Sequence, residues 1–388
     1  MAPPKRPFRF TRGAGNLGEG SELLIDIACV DLFCGAGGLT RGLQNVGVNV
    51  VAGVDVDQAC KHAFEANNDA KFLLEDVSDL SPEKLNDHFG DASVRVLAGC
   101  APCQPFSTYS QRYETIGTPR WGLMSHFARL VKNTHPDFVT MENVPTVFKH
   151  DVYKDFVRTL LNLGYHVSSN VVDCTKYGLP QTRRRTVLLA SLDRTINLIA
   201  PPEDAMRTVR EAIGNMPALE QGHASGDDPL HRAARLSDLN LERIRASRPG
   251  GTWRDWPPEL VAECHRKDSG RTYPGVYGRM VWDAPSPTMT TQFFGFGNGR
   301  FGHPEQDRAI TLREGAVLQG FPNDYSFVPE GSPIHFATLG RMIGNAVPVT
   351  LGEIIGRSIL ASLDETTKQT NREEDHEAER ECGETLVA

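Results

Sequence analysis

No run of about 18 consecutive apolar residues occurs in these 388 residues, and Met1 to Gly20 lacks the apolar core of a secretory signal. Neither a membrane-spanning nor an exported chain is expected. Cysteine is scarce and scattered, eight residues in all, which argues against a disulfide framework and for a reducing, cytoplasmic setting. Cys100 and Cys103 form a C-x-x-C, but no second close Cys/His pair completes a four-ligand zinc set, so no metal is expected. The glycines that follow the first apolar run, at 35, 37 and 38, do not have the G-x-G-x-x-G spacing of a dinucleotide site, and no internal repeat is seen.

A net charge of −8 lacks the basic excess of a typical nucleic-acid binder, but the charge is unevenly spread. Asp364 to Ala388 holds nine acidic and three basic residues, whereas Arg232 to Arg313 holds 13 basic and nine acidic ones. All but Lys267 of those 13 are arginine, the side chain suited to phosphate and guanine.

What is present is an alternation of strand and helix. The stretches Ile25–Phe33, Val48–Val54, Lys71–Leu74, Val94–Ala98, Phe138–Met141, His166–Asp173 and Thr186–Ala190 read as strands. Helical patterns follow the first run (through about Val46) and cover Leu123–Lys132, Val152–Leu163 and Leu351–Leu363. The pattern predicts an α/β fold with a doubly wound, mostly parallel sheet. From about Pro201 the character changes to Gly, Pro, Trp and Tyr without clean periodicity, predicting a second, smaller domain of short strands and loops. The expected division is a disordered arm over 1–21, a first domain over 22–199, the smaller domain over 200–305, a return to the first over 306–363, and a disordered charged tail over 364–388.

The chemistry concentrates at strand ends, where ligands of open α/β sheets bind. The first strand ends in Asp31-Leu32-Phe33-Cys34-Gly35-Ala36-Gly37-Gly38-Leu39, a turn whose glycines let backbone approach a ligand. The second ends in Asp55, suited to ribose hydroxyls, and the third in Glu75-Asp76-Val77, suited to an adenine edge. Each acid could instead be a helix N-cap. After Val94–Ala98, Gly99 breaks the strand and Pro102 and Pro105 stiffen the loop around Cys103, a candidate nucleophile. Residues 107–120 are polar and turn-rich, as a lid would be.

Six motifs in this order resemble those of the DNA cytosine-5 methyltransferases of bacterial and phage restriction–modification type. They are Asp31-Leu32-Phe33 with Gly35, Gly37 and Gly38; Pro102-Cys103-Gln104; Glu142-Asn143-Val144; Gln181, Arg183 and Arg185; Arg313-Glu314-Gly315 through Pro322; and Gly344-Asn345-Ala346-Val347-Pro348. The resemblance covers about residues 28–190 and 305–360. It implies a Rossmann-like, S-adenosylmethionine-dependent enzyme that methylates C5 of a cytosine flipped out of a short duplex DNA sequence. In that reading Cys103 attacks C6, Glu142 holds N3 and the exocyclic amine, and Arg183 and Arg185 bond the base carbonyl. The donor pocket would comprise Phe33 on the adenine, Gly35, Gly37, Gly38 and Leu39 by the methionine end, Asp55 and Val56 at the ribose, and Asp76 and Val77 at the adenine edge. Pro102, Leu123, Asn345, Ala346 and Val347 would complete it. The family usually has Glu where Asp55 stands.

Gln104, Ser107 and Gln181 are expected near DNA, with Arg243, Arg254 and Arg279 as contacts from the 200–305 target-recognition domain. The implied partner is double-stranded DNA, bound by a monomer, with a cognate restriction endonuclease as a functional partner. Competing readings are an RNA cytosine-5 methyltransferase, a binder that has lost catalysis, and a nucleotide-dependent oxidoreductase.

Overall fold

The computed structural model describes residues 26–102 and 122–364. The expected arm and tail, the 104–120 loop, and with it Cys103, Gln104 and Ser107, lie outside the described residues.

Seven strands form one sheet: β1 (Ile27–Leu32), β2 (Val50–Asp55), β3 (Lys71–Leu74), β4 (Val94–Gly99), β5 (Phe138–Asn143), β6 (His166–Asp173) and β7 (Arg184–Ser191), in the order β3-β2-β1-β4-β5-β7-β6. The first five are parallel; β7 runs antiparallel to both β5 and β6. β1, β4 and β5 are buried throughout, which is why they read as continuous apolar runs rather than alternating ones. The chain moves outward from β1 through β2 to β3, then crosses back to place β4 on the other side of β1. That reversal opens a crevice at the carboxyl ends of β1 and β4. Register pairs Leu32 with Val54 and Gly99, and Gly99 with Met141, so the residues that follow each strand share one edge.

Helices α1 (Gly38–Asn45), α2 (Cys60–Glu65), α3 (Pro82–Phe89), α4 (Leu123–Thr134), α5 (Asp151–Asn162), α6 (Val209–Ile213), α7 (Asp238–Ala246), α8 (Glu263–Arg266), α9 (Leu312–Leu318), α10 (Phe336–Asn345) and α11 (349–364) complete the described fold. On one face of the sheet α3, α4 and α5 bury Leu85, Phe127, Leu130, Phe156 and Leu160. Side chains of this size contribute about 1.5–3 kcal/mol each when fully buried. On the other face α1 and α11 bring Leu39, Leu43, Leu351, Ile355 and Ile359 onto the strands. α2 and α3 are absent from the sequence reading, although Ser81-Pro82-Glu83 is a cap signal: Ser81 accepts from the Lys84 N–H and Pro82 occupies the first turn.

Residues 192–311 differ from the expected strands. Among the described residues they hold no ladder strand, only isolated bridges such as Pro249–Arg279 and Gly302–Ala309, three short helices and single helical turns. Side chains satisfy carbonyls that a ladder would otherwise pair, as described below for Arg279. The packing of this segment is divided. Leu236, Ile244, Trp253, Trp256, Phe296 and Ala309 form a small cluster of their own. Val209, Ile213, Met280, Met289, Phe293 and Phe301 share a core with α2, α9 and α10.

Candidate active site

The crevice holds a cavity of about 240 Å³, walled by the ends of β1 to β4, the start of α4 and the α10–α11 turn. Twelve of the residues expected at a donor pocket line it: Phe33, Gly35, Leu39, Asp55, Val56, Asp76, Val77, Pro102, Leu123, Asn345, Ala346 and Val347. Phe33 sits in the left-handed region (φ 60°), which costs a non-glycine residue about 1–2 kcal/mol and signals a conformation imposed by its surroundings. Gly35 follows at φ 52°, and a Cβ there would meet nothing within 4 Å, so the turn faces open space.

Asp55 ties the turns together. Its Oδ2 accepts from the Gly35 N–H at 2.9 Å and its Oδ1 from the Asp57 N–H at 2.9 Å, leaving each oxygen a further lone pair. Burial raises its pKa, against the pull of those N–H donors. Asp76 accepts from the Ser78 N–H at 2.8 Å. Asp31, only 1% exposed, accepts from the Thr40 hydroxyl at 2.8 Å through Oδ2, while its Oδ1 is buried without a hydrogen-bond partner. Burial pushes Asp31 up to about 7, with the Asp55 charge adding to it and the Thr40 hydroxyl opposing. On the rim, Arg341 pairs with Asp57 at 2.6 Å.

Gly37 and Gly38 correct the expectation that the whole glycine turn faces a ligand, since neither lines the cavity. A Cβ on Gly38 would overlap the Val347 carbonyl oxygen, and one on Gly37 would crowd Asn68 and Tyr325. Their smallness lets α1 press against the 346–348 turn and the α2 region.

Beside the cavity lies a carboxylate–guanidinium pair. Glu142, 3% exposed near the end of β5, meets Arg185 Nε at 2.9 Å through Oε1. Its Oε2 lies 2.7 Å from the Cys100 thiol, and Cys100 itself lines the cavity. Asn143 donates to the Ala101 carbonyl at 3.0 Å, fixing the segment that leads to Pro102.

Arg183 and Gln181 are placed differently from Arg185. Arg183, 2% exposed, donates to the carbonyls of Met289 (3.4 Å) and Ala346 (3.2 Å). Gln181, 0% exposed, donates to Leu318 O (3.0 Å) and Gln319 Oε1 (2.8 Å) and accepts from the Met289 N–H (2.9 Å). Gln181 is therefore part of a buried joint that supports Ala346 in the cavity wall, not a DNA-facing residue.

Arg279 is likewise corrected. Buried, it donates to the carbonyls of Ile244, Ser247, His303 and Gln306 and pairs with Asp307. Arg279→Ala is expected to cost about 3 kcal/mol of stability, read from denaturant unfolding, because it strips several buried carbonyls of their donor. Unchanged stability would mean that water replaces the guanidinium. Arg243 is half-buried, donating to Leu260 O and Asn240 and lying over the Trp256 and Tyr277 rings. Arg254 is exposed, with one bond to Arg271 O. Sequence reasoning missed the unpaired Asp31 oxygen, the Arg341–Asp57 pair and the Cys100–Glu142 contact. Only the first had a local signal, an acid near a strand end.

The C-5 cytosine-specific DNA methylase family model matches residues 27–361. The chain is 51% identical over 344 residues to the Type II methylase M.HgiDII of Herpetosiphon aurantiacus, covering 87% of this chain and 96% of that one. It is 32% identical to the Type II methyltransferase M1.HphI of Haemophilus parahaemolyticus, covering 87% of each. Among solved structures, the methyltransferase EhMeth of Entamoeba histolytica superposes with a TM-score of 0.62 at 14% identity, over 87% of this chain and 99% of that one, a likeness of fold.

Proposed function

This chain belongs to the C-5 cytosine-specific DNA methylases, and on that premise we propose that it moves a methyl group from S-adenosylmethionine to C5 of a cytosine flipped out of duplex DNA. The observation that carries this reading is the adjacency of two features. The cavity reaches Pro102, the residue before Cys103, and through Cys100 it touches the carboxylate paired with Arg185.

The cavity fits the donor. Gly35 leaves space where any side chain would intrude, Asp55 has lone pairs left for two ribose hydroxyls, and Asp76 stands at an adenine-edge position. The unpaired, buried Asp31 oxygen suits the cationic methionine end. When bound, S-adenosylmethionine supplies an electrophilic methyl group on a sulfonium.

The chain's residues do the rest. C5 of cytosine is too weak a nucleophile, so the Cys103 thiolate adds to C6 and pushes electron density onto C5. Glu142 holds N3 and the exocyclic amine as negative charge builds on the ring, and Arg185 offsets that charge at the base carbonyl. After C5 takes the methyl group, a base removes the C5 proton and the Cys103–C6 bond breaks. The target carbon is stacked within the duplex, hence the flip. Residues 200–305 supply target recognition, with exposed arginines such as Arg254 on phosphates. The enzyme acts as a monomer in the cytoplasm, with a cognate endonuclease as functional counterpart.

The test is transfer of labelled methyl to mixed-sequence duplex DNA, followed by bisulfite sequencing. The expected result is cytosine methylated within one short motif. Folded, donor-binding protein that leaves DNA unlabelled would overturn the DNA reading in favour of RNA.

The donor end has its own signature. An Asp31 raised to about 7 is largely protonated at pH 6 and ionised at pH 8, so affinity for the cationic donor should climb with pH through that window. Asp31→Asn should flatten the profile and weaken binding at pH 8 by about tenfold, measured by calorimetry. A wild-type profile flat from pH 6 to 8 would remove Asp31 from donor binding.

A further inference from the structure

We propose that Cys100 is a positioning residue for Glu142, its thiol holding one carboxylate oxygen while Arg185 holds the other. The role rests on the methyl-transfer reading above.

The backbone of Cys100 is fixed before its side chain is considered. It is the first residue after β4, and its N–H donates to the Leu32 carbonyl at 3.2 Å, pinning it between β1 and β4. From there Sγ reaches Glu142 Oε2 at 2.7 Å, while Arg185 Nε stands 2.9 Å from Oε1. A glutamate side chain has three torsions, and its terminal torsion is broad. One contact restrains the carboxyl's position, but the plane can still turn about it. The thiol hydrogen bond on Oε2, with the Arg185 charge beside Oε1, biases that plane, which decides whether the carboxyl meets N3 and the exocyclic amine edge-on.

A thiol suits this work because it is a weak donor. It orients Oε2 without competing strongly with the amine of an arriving base, which can use the second lone pair of the same oxygen. A hydroxyl would orient Glu142 equally well but hold it more tightly. Cys100 also lines the donor cavity, so it stands where the carboxylate and the methyl donor meet. Nothing in the C-x-x-C spacing signals this role, because the contact is to β5, 42 residues away.

The experiment compares Cys100→Ala, Cys100→Ser and wild type in steady-state methyl transfer, with donor affinity by calorimetry and melting temperature alongside. Cys100→Ala should lower kcat by about tenfold, a larger effect than any loss of donor affinity from the trimmed cavity wall, since what is lost at the carboxylate is one hydrogen bond to a charged group. Cys100→Ser should restore most of kcat and raise KM for DNA. If Cys100→Ala loosens the fold, Cys100→Ser against Cys100→Val asks the same question at similar volume. Wild-type kcat in Cys100→Ala would overturn the role. So would a serine variant as slow as alanine, because packing rather than donation would then matter. A wild-type enzyme that fails to methylate DNA at all would overturn the underlying reading and this role with it. Active wild type with indifferent variants overturns only the role.

Discussion

Cys103→Ser is expected to lower methyl transfer by at least about 10³-fold while leaving donor affinity within about twofold of wild type. A thiol ionises near pH 8.5 and lower beside positive charge, so a useful fraction is thiolate at neutral pH. A serine hydroxyl ionises far above that range and would need a strong base beside it to attack C6. Cys103 lies outside the described residues, so its role is argued from chemistry and from its neighbours. Pro102 lines the cavity, Asn143 holds the Ala101 carbonyl, and Cys100 contacts the Glu142 carboxylate. In the proposed reading, donor binding draws on the cavity walled by the ends of β1, β2 and β3 and the α10–α11 turn. Transfer and binding should therefore separate cleanly in single-turnover kinetics and calorimetry. Transfer that survives in Cys103→Ser would show that the nucleophile is another residue.

Glu142→Gln should slow kcat by on the order of 10²-fold or more, the usual worth of a positioned acid or base. The amide keeps the shape of the carboxyl and can still donate to N3, but it carries no negative charge and delivers no proton. It also leaves the Arg185 guanidinium, 13% exposed, without its counter-charge. The substitution should therefore weaken the charge balance around the bound base as well as the proton transfer. KM for the donor should hardly move, because Glu142 is not among the residues lining that cavity. Turnover near wild type in this variant would remove Glu142 from the mechanism and leave its ion pair a structural one.

Much of the architecture was legible along the chain, for a local reason. A strand buried on both faces must be apolar throughout, which made β1, β4 and β5 legible to within a few residues; the partly exposed β3 (Lys71–Leu74) and β6 (His166–Asp173) match their expected bounds as well. The strand ends were legible too. In a parallel sheet every strand delivers its carboxyl end to the same edge, so Phe33, Asp55, Asp76 and Pro102 meet at one cavity once the alternation is recognised. Even α3 announced itself in Ser81-Pro82-Glu83, although its short apolar pattern obscured it.

The fate of individual polar side chains was settled by distant main chain. Arg279 has the same local composition as any exposed arginine of its segment. It becomes a buried hub because carbonyls at 244, 247, 303 and 306 converge on it. Gln181 becomes a joint because Met289, Leu318 and Gln319 arrive around it from more than 100 residues away. The Cys100–Glu142 contact has the same origin, two strand ends brought side by side. By itself the sequence determined the seven strands, the mostly parallel character of their sheet and the edge where the chemistry gathers, because periodicity and strand-end residues are local properties. Which arginines face solvent, which glycines face the cavity and which groups meet the Glu142 carboxylate were decided only by tertiary structure, because a buried polar group must find partners wherever the fold brings them.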